Sequence, residues 1–247
     1  TEIKGAAYWI TFANPKRANA VSFEMYEELC QAMDEANANE DILITVSTGQ
    51  GDYYSSGNDF SLPEMAKHGH PKYIDCDPGY SKWMTRLINH RKILIALVNG
   101  PVMGISCTTL GLFDYVVCSD SAYFLCPFAT LGMAPEGDST VLYERIMGTS
   151  NATEMLLFNE RMTTEQALAR GYVSKVIPKA EFRREAEALV EKYSKLPKHS
   201  VLASKELMRG QKWRREMLST HVDELEQVKK MFTDERSIDL ILKRFGK

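Results

Sequence analysis

Three short stretches of this 247-residue chain hold residue types that can do chemistry together. Ser55-Ser56-Gly57-Asn58-Asp59 and Gly100-Pro101-Val102-Met103-Gly104-Ile105-Ser106 are glycine-containing turns that follow apolar runs of strand length. Small residues there let backbone approach backbone, or a ligand approach backbone. Two N–H groups from separate turns can then converge on one oxygen atom, which is how an oxyanion hole is made. The third stretch, Met133-Ala134-Pro135-Glu136-Gly137-Asp138-Ser139, sets an acid between a proline and a glycine just before a helical pattern. On its own residues Glu136 reads as an N-terminal helix acid that does only electrostatics, although a bulky acid is unexpected in so short a turn. Neither glycine turn is Gly-x-Gly-x-x-Gly or a Walker loop, so dinucleotide and triphosphate binding have no motif support.

The elements that must hold these stretches alternate strand and helix through residue 177, which predicts an α/β architecture. Ile93–Val98 is a continuous apolar run, as in a strand buried on both faces. Asn99-Gly100-Pro101 stops it, and a helix of small residues is expected from Gly104 to Gly111. Further strands are expected at Ala6–Phe12, Ile42–Thr48, Tyr115–Cys118, Ala122–Leu125 and Val173–Ile177. Ser22 is a good N-cap, and Met25, Leu29, Met33 and Ala36 recur at helical spacing over residues 23–38. Other helices are expected at 80–89, 140–147, 152–158 and 165–170, the last capped by Thr163 and stopped by Gly171. Residues 61–79, broken by Pro63, Pro71, Pro78 and Gly79, predict a mobile loop or lid. The pattern is wholly helical from Lys179 onward. The break at Pro197 divides a core (1–197) from a C-terminal helical region (198–247).

The totals narrow the function classes. A 44% hydrophobic, 26% charged chain with net charge −3 describes an ordinary soluble globule. No basic stripe suggests nucleic acid, and no apolar run approaches the roughly 20 residues that span a bilayer. Five cysteines without a Cys-x-x-Cys pair read as buried thiols in a reducing compartment. His68 and His70 in Lys-His-Gly-His-Pro are metal-like in spacing but have no third ligand in sight, so no metal is expected. A chain starting at Thr1 is expected to be trimmed or processed. Its Arg-Phe-Gly-Lys end is not the Ser-Lys-Leu address.

Four motifs in order, Asn-Pro-Lys-Arg-Ala-Asn-Ala (14–20), Ser-Ser-Gly-Asn-Asp (55–59), Asn-Gly-Pro-Val-Met-Gly-Ile-Ser (99–106) and Pro-Phe-Ala-Thr-Leu-Gly-Met-Ala-Pro-Glu-Gly (127–137), resemble the crotonase, or enoyl-CoA hydratase/isomerase, superfamily. Ser-Ser-Gly-Asn-Asp, Leu-Gly-Leu-Phe-Asp (110–114) and Pro-Glu-Gly look most like the peroxisomal-type Δ3,Δ2-enoyl-CoA isomerases. The resemblance implies a spiral of ββα units with C-terminal helices that assemble homotrimers. It implies backbone N–H donors at Asn58 and Ile105. The two glutamates of the superfamily's hydratases fall on positions that hold Thr108 and Phe128 here, which disfavours hydration.

Glu136 matches the isomerase position, where one acid would carry a proton from C2 to C4 of a 3-enoyl-CoA to give trans-2-enoyl-CoA. The CoA end is expected along Lys16, Arg17, Ser56, Gly57, Asp59, Phe60 and Gly104, and the acyl chain against Phe128, Leu131 and Met133. No cofactor is implied beyond the CoA of the substrate. The compartment implied is the peroxisome, with the mitochondrial matrix as the other possibility. Asp59 reads as a turn-stabilising acid, and Asp138 as a helix cap or proton relay. The readings left open are dienoyl-CoA isomerase, weak hydratase, or an acyl-CoA-binding module without turnover.

Overall fold

The computed structural model describes residues 1–61, 64 and 78–245. The reading of 61–79 as a lid, the His68/His70 pair and Cys76 therefore fall almost wholly outside the described residues. Six strands form the large sheet in the order β1 (Glu2–Lys4), β2 (Ala7–Phe12), β3 (Ile44–Gly49), β4 (Ile93–Val98), β6 (Tyr115–Ser119) and β9 (Lys175–Ile177). All neighbours are parallel except β1 and β2. A smaller sheet pairs β5 (Val102–Met103) with β7 (Tyr123–Leu125) and β7 with β8 (Met162–Thr163). The chain thus passes repeatedly from a long strand to a short one in the second layer and on to a helix, as in the ββα turns expected. Single bridges Val21–Asn58 and Ser55–Val102 extend that second layer to the glycine turns.

β4 lies between β3 and β6, and all of it beyond Ile93 is buried, which explains its unbroken apolar run. Its side chains alternate between two cores. Leu94, Ala96 and Val98 face the core packed by α1 (Phe23–Ala38) and α2 (Pro78–Ile88). Ile95 and Leu97 face the core closed by Phe182, Ala186 and Val190 of α7 (Phe182–Ser194).

Between these lie α3 (Ile105–Thr108), α4 (Ser139–Met147), α5 (Thr149–Leu156) and α6 (Thr164–Ala169). Thr163 and Gln166 close a reciprocal capping box on α6. α8 (Lys198–Met208), starting at the Pro197 break, is followed by α9 (Gln211–Thr233) and α10 (Glu235–Phe245). α9 packs on α2 and α4, and α10 on the turn at Ala129–Leu131. The Ser237 hydroxyl there donates to the Gly132 carbonyl at 2.6 Å.

Some boundaries differ from expectation for local reasons. The small-residue helix after Gly104 covers only Ile105–Thr108 and tightens into a 3-10 turn at Thr109–Leu112. Thr108 and Thr109 both bond back to the Ile105 carbonyl there, which competes with a regular ladder. β1 is a three-residue exposed edge strand with no apolar alternation to reveal it. Among the described residues no helix is long and apolar enough to cross a membrane, and no cluster of metal-ligating side chains is present.

The loops after β3 and β4 interlock through backbone. Asn99 accepts the Gly49 N–H at 2.8 Å and donates to the Gly51 carbonyl at 2.9 Å. A Cβ at Gly100 would lie 1.8 Å from the Asp52 carbonyl oxygen. Gly100→Ala is therefore expected to lower the unfolding free energy by at least about 2 kcal/mol in urea titrations, since backbone cannot yield as a side chain can. A variant as stable as wild type would refute the interlock.

Candidate active site

The two glycine turns meet back to back. Gly57 and Gly104 both adopt positive φ (+85° and +56°). A Cβ on Gly57 would sit 2.9 Å from the Met103 carbonyl oxygen and 3.4 Å from the Gly104 Cα. The Met103 N–H donates to the Ser55 carbonyl at 2.9 Å. The Ser55 and Ser106 hydroxyls share a buried hydrogen bond of 2.8 Å, and Ser55 also donates to the Asn19 carbonyl. Around the first turn, the Val21 N–H donates to Gly57 and the Asp59 N–H to Val21, which skips Asn58. At the second, Gly104 donates to Leu125, and its carbonyl accepts from Cys107 and Thr108. The N–H groups of Asn58 and Ile105 donate to no partner among the described residues. In a folded interior such donors ordinarily find one.

Pro135-Glu136-Gly137 is pressed against the same helix start. Gly137 has φ +80°, and a Cβ there would lie 2.5 Å from Thr108 Oγ1 and 3.3 Å from Ile105 Cδ1. The Gly137 N–H donates to the Tyr80 hydroxyl at 3.2 Å, and the Ser139 hydroxyl donates to the Glu136 carbonyl at 2.8 Å. Glu136 is 8% exposed, and its carboxylate accepts from Asn58 Nδ2 at 3.4 Å. Tyr26 of α1 donates to Asn58 Oδ1 at 2.5 Å, which turns the Asn58 amide so that its NH2 faces Glu136. Thr108 donates its hydroxyl to the Ile105 carbonyl at 3.1 Å, and its side chain packs on Gly137, where any Cβ would collide with it.

A cleft of about 580 Å³ opens over this junction, within the ordinary range for small-molecule sites. Of the residues singled out from sequence, Arg17, Ser56, Asn58, Asp59, Phe60, Gly104, Ile105, Phe128, Leu131, Met133 and Glu136 line it. Gly57 is buried against Met103, outside the lining, and Lys16 is exposed on the neighbouring turn, also outside it. Asp59 is held by Arg17 Nη2 at 2.7 Å and accepts the Ser61 N–H at 2.9 Å, the behaviour of a turn-stabilising acid.

Sequence reasoning missed Phe232, Arg244 and Phe245, which α9 and α10 bring to the lining. The Phe60 ring lies 6.2 Å from Phe232 and 5.6 Å from Phe245. An aromatic in a polar helix was the only available signal. It could not reveal a partner so far away in the chain.

Outside the lining, a buried polar layer backs the Glu136 turn. Glu224 of α9 accepts the Asp138 N–H at 2.7 Å, the Thr140 N–H at 3.0 Å and the Thr140 hydroxyl at 2.6 Å. Asp138, expected as a cap or relay, holds the N-cap position of α4 in the left-handed region (φ +58°), yet its side chain makes no capping bond. The cap reading is corrected, because the remote Glu224 already takes the donors that Asp138 would have taken. Burial, and then the Glu224 charge, push the Asp138 carboxyl up to about 8. Burial also raises Glu224 and pushes His221, whose Nε2 shares a 2.9 Å hydrogen bond with Ser81, down to about 4. Tyr80, edge-on to the His221 ring at 5.4 Å, is raised well above its usual value by burial and then by Glu136.

The Enoyl-CoA hydratase/isomerase family profile matches residues 2–243. Enoyl-CoA delta isomerase 2 of Rattus norvegicus is 41% identical over 207 residues, covering 83% of this chain and 53% of the relative. Enoyl-CoA delta isomerase 3, peroxisomal, of Mus musculus is 41% identical over 201 residues, covering 81% of this chain and 63% of the relative. The chain thus spans between half and two thirds of the length of these curated relatives. Among solved structures, that of Pseudomonas aeruginosa OdaA matches with a TM-score of 0.90 at 25% identity, covering 100% of this chain and 98% of that one.

The glycine contact generates its own test. Gly57→Ala combines a left-handed backbone with a Cβ forced onto Met103, and is expected to cost about 1–3 kcal/mol of stability. It should also push the two turns apart, seen as faster amide hydrogen exchange at Met103–Ser106. Unchanged exchange would show that the turns do not depend on each other.

Proposed function

Because this chain belongs to the enoyl-CoA hydratase/isomerase family, we propose that it is a Δ3,Δ2-enoyl-CoA isomerase, converting 3-enoyl-CoA to trans-2-enoyl-CoA. The observation that carries the reading is the meeting of three groups in one cleft: the buried Glu136 carboxylate and the amides of Asn58 and Ile105, neither of which donates within the described residues.

The chemistry follows from where charge develops. The C2 proton of a thioester is too weakly acidic for a carboxylate unless the enolate oxygen is stabilised as it forms. Each preorganised donor at such an oxygen contributes roughly 3–4 kcal/mol. With the thioester oxygen on the two amides, Glu136 takes the C2 proton. The C2–H electron pair becomes the C1–C2 double bond of a dienolate, and the carbonyl oxygen gains the charge. The same carboxyl then returns the proton to C4 as the electrons shift to a C2–C3 double bond. One acid serves as base and then as acid, and proton and electrons balance without a cofactor. Asn58 Nδ2, oriented by Tyr26, fixes the direction of the carboxylate between the two carbons.

Hydration would need a second carboxylate to orient water. Thr108 is occupied against Gly137 and Ile105, and Phe128 is apolar wall, which supports isomerisation instead. Arg17 and Arg244 at the lining suit CoA phosphates, and Phe128, Leu131 and Met133 suit an acyl chain. A homotrimer belongs to the same reading, and the exposed Leu207 and Met208 at the end of α8 offer it apolar surface. The peroxisomal setting is supported by the mouse relative being a peroxisomal isomerase.

The test is conversion of 3-hexenoyl-CoA to its conjugated 2-enoyl isomer, followed spectrophotometrically. Glu136→Gln should keep thioester binding by calorimetry and lose at least ~100-fold in kcat. Tyr26→Phe, which leaves the Asn58 amide unanchored, should lower kcat by up to about 100-fold, as small misplacements of reacting groups do. A wild-type protein that binds the ester and does not turn it over would favour an acyl-CoA-binding module.

A further inference from the structure

α9 carries Glu224 into the interior beside the start of α4, where it caps a helix 86 residues earlier in the chain. The donors it takes, the Asp138 and Thr140 N–H groups and the Thr140 hydroxyl, are those that a helix start leaves open. An N-cap aspartate ordinarily takes such donors itself. Asp138 does not, and both its carboxyl oxygens are fully buried without a hydrogen-bond partner among the described residues.

We propose that Glu224 is a positioning residue for Glu136. It fixes the first turn of α4, and with it Pro135-Glu136-Gly137, against α3, as the charged member of an acid pair in which Asp138 holds the proton. The proposal rests on Glu136 being the acid–base group of the isomerase reading.

The allocation of charge follows from the partners. Three donors converge on Glu224 and stabilise it as a carboxylate, whereas none among the described residues serves Asp138. Two adjacent buried carboxylates cannot both ionise cheaply, so the unserved one keeps its proton. The other titratable groups that face the pair add no positive charge. Tyr80 of α2 takes the Gly137 N–H, and Tyr26 of α1 lies beyond it at 6.1 Å between rings. His221, one turn before Glu224 on α9, is held neutral by burial, and Glu136 adds an acid.

The consequence is an alkaline limit. As pH rises through about 8, Asp138 ionises, and its repulsion of Glu224 loosens the cap that holds the turn. The sign for stability is the same. The folded state holds this proton more tightly than the unfolded chain, so the contribution is complete below about pH 4 and is lost progressively as pH rises to about 8.

Asp138→Asn and Glu224→Gln in the whole protein test both parts. Asparagine accepts the left-handed backbone and mimics a neutral acid, so Asp138→Asn should fold. Difference infrared spectroscopy should show a protonated carboxyl band in wild type at pH 7 that fades through about pH 8 and is missing from Asp138→Asn. That variant should also lose the alkaline fall of kcat. Glu224→Gln should lower kcat by between about 10-fold and 100-fold with KM within about twofold, and speed amide exchange over residues 136–141. If Glu224→Gln does not fold, Thr140→Val, which deletes only the hydroxyl donor, should show the same exchange and the same kcat-only loss.

Absence of the infrared band at pH 7, or its survival in Asp138→Asn, overturns the pairing. Wild-type exchange and kcat in Glu224→Gln overturn the positioning role. Should wild type fail to isomerise any 3-enoyl-CoA, the isomerase reading falls, and the band and the exchange still decide the acid pair and its hold on the turn.

Discussion

The site depends on glycine backbone pressed against its neighbours with no Cβ between. Gly57 lies against the Met103 backbone, where a Cβ would sit 2.9 Å from the carbonyl oxygen, and Gly137 lies against the Thr108 side chain, where a Cβ would sit 2.5 Å from Oγ1. These two contacts bring three chain segments to one helix start. The turn after β3 supplies the Asn58 amide, the turn after β5 supplies the Ile105 amide, and the turn before α4 supplies the Glu136 carboxylate. Left-handed backbone at all three glycines makes the approach possible, and a substituent at any of them would be strained as well as crowded. The central strand matters for the same reason. β4 is rigid and buried, so the turn that leaves it is delivered to a fixed place.

Behind this junction the protein keeps a layer of polar groups where an apolar core would be simpler to build. Tyr26 acts through Asn58, Tyr80 through Gly137, and Glu224 through Asp138 and Thr140, so each of three helices holds one part of the site. Buried polar networks specify geometry when their members are satisfied. Among the described residues the Asp138 carboxyl and the His221 Nδ1 lack a partner in this layer, and a proton on Asp138 removes the charge that would otherwise be buried there unserved.

Much of this was legible in the residues. The apolar run at 93–98 and Thr163 before α6 carry local physical signatures, and the structure has a strand at the one and a capping box at the other. Thr108 and Phe128 showed that a second acid is missing, though not that the Thr108 side chain packs on Gly137. What stayed hidden is non-local. The capping of α4 by Glu224, the arrival of Phe232 and Arg244 at the cleft, and the place of Lys16 outside it are set by how separate helices and loops dock. No spacing within a helix encodes such docking. Asp138 misled for the same reason, since a local cap is the right inference until a distant carboxylate takes the donors first.

The long reach from Asp138 to Glu224 has a bearing on synthesis. A ribosome adds about 5–20 residues per second, so several seconds pass between translation of the Glu136 turn and translation of the 86th residue beyond Asp138. Through that interval the sheet and its first helices can already be folding, while the start of α4 still lacks its capping carboxylate and the cleft lacks its aromatic wall from α9. The nascent chain therefore carries a half-built, partly apolar hollow that its own later helices must cover.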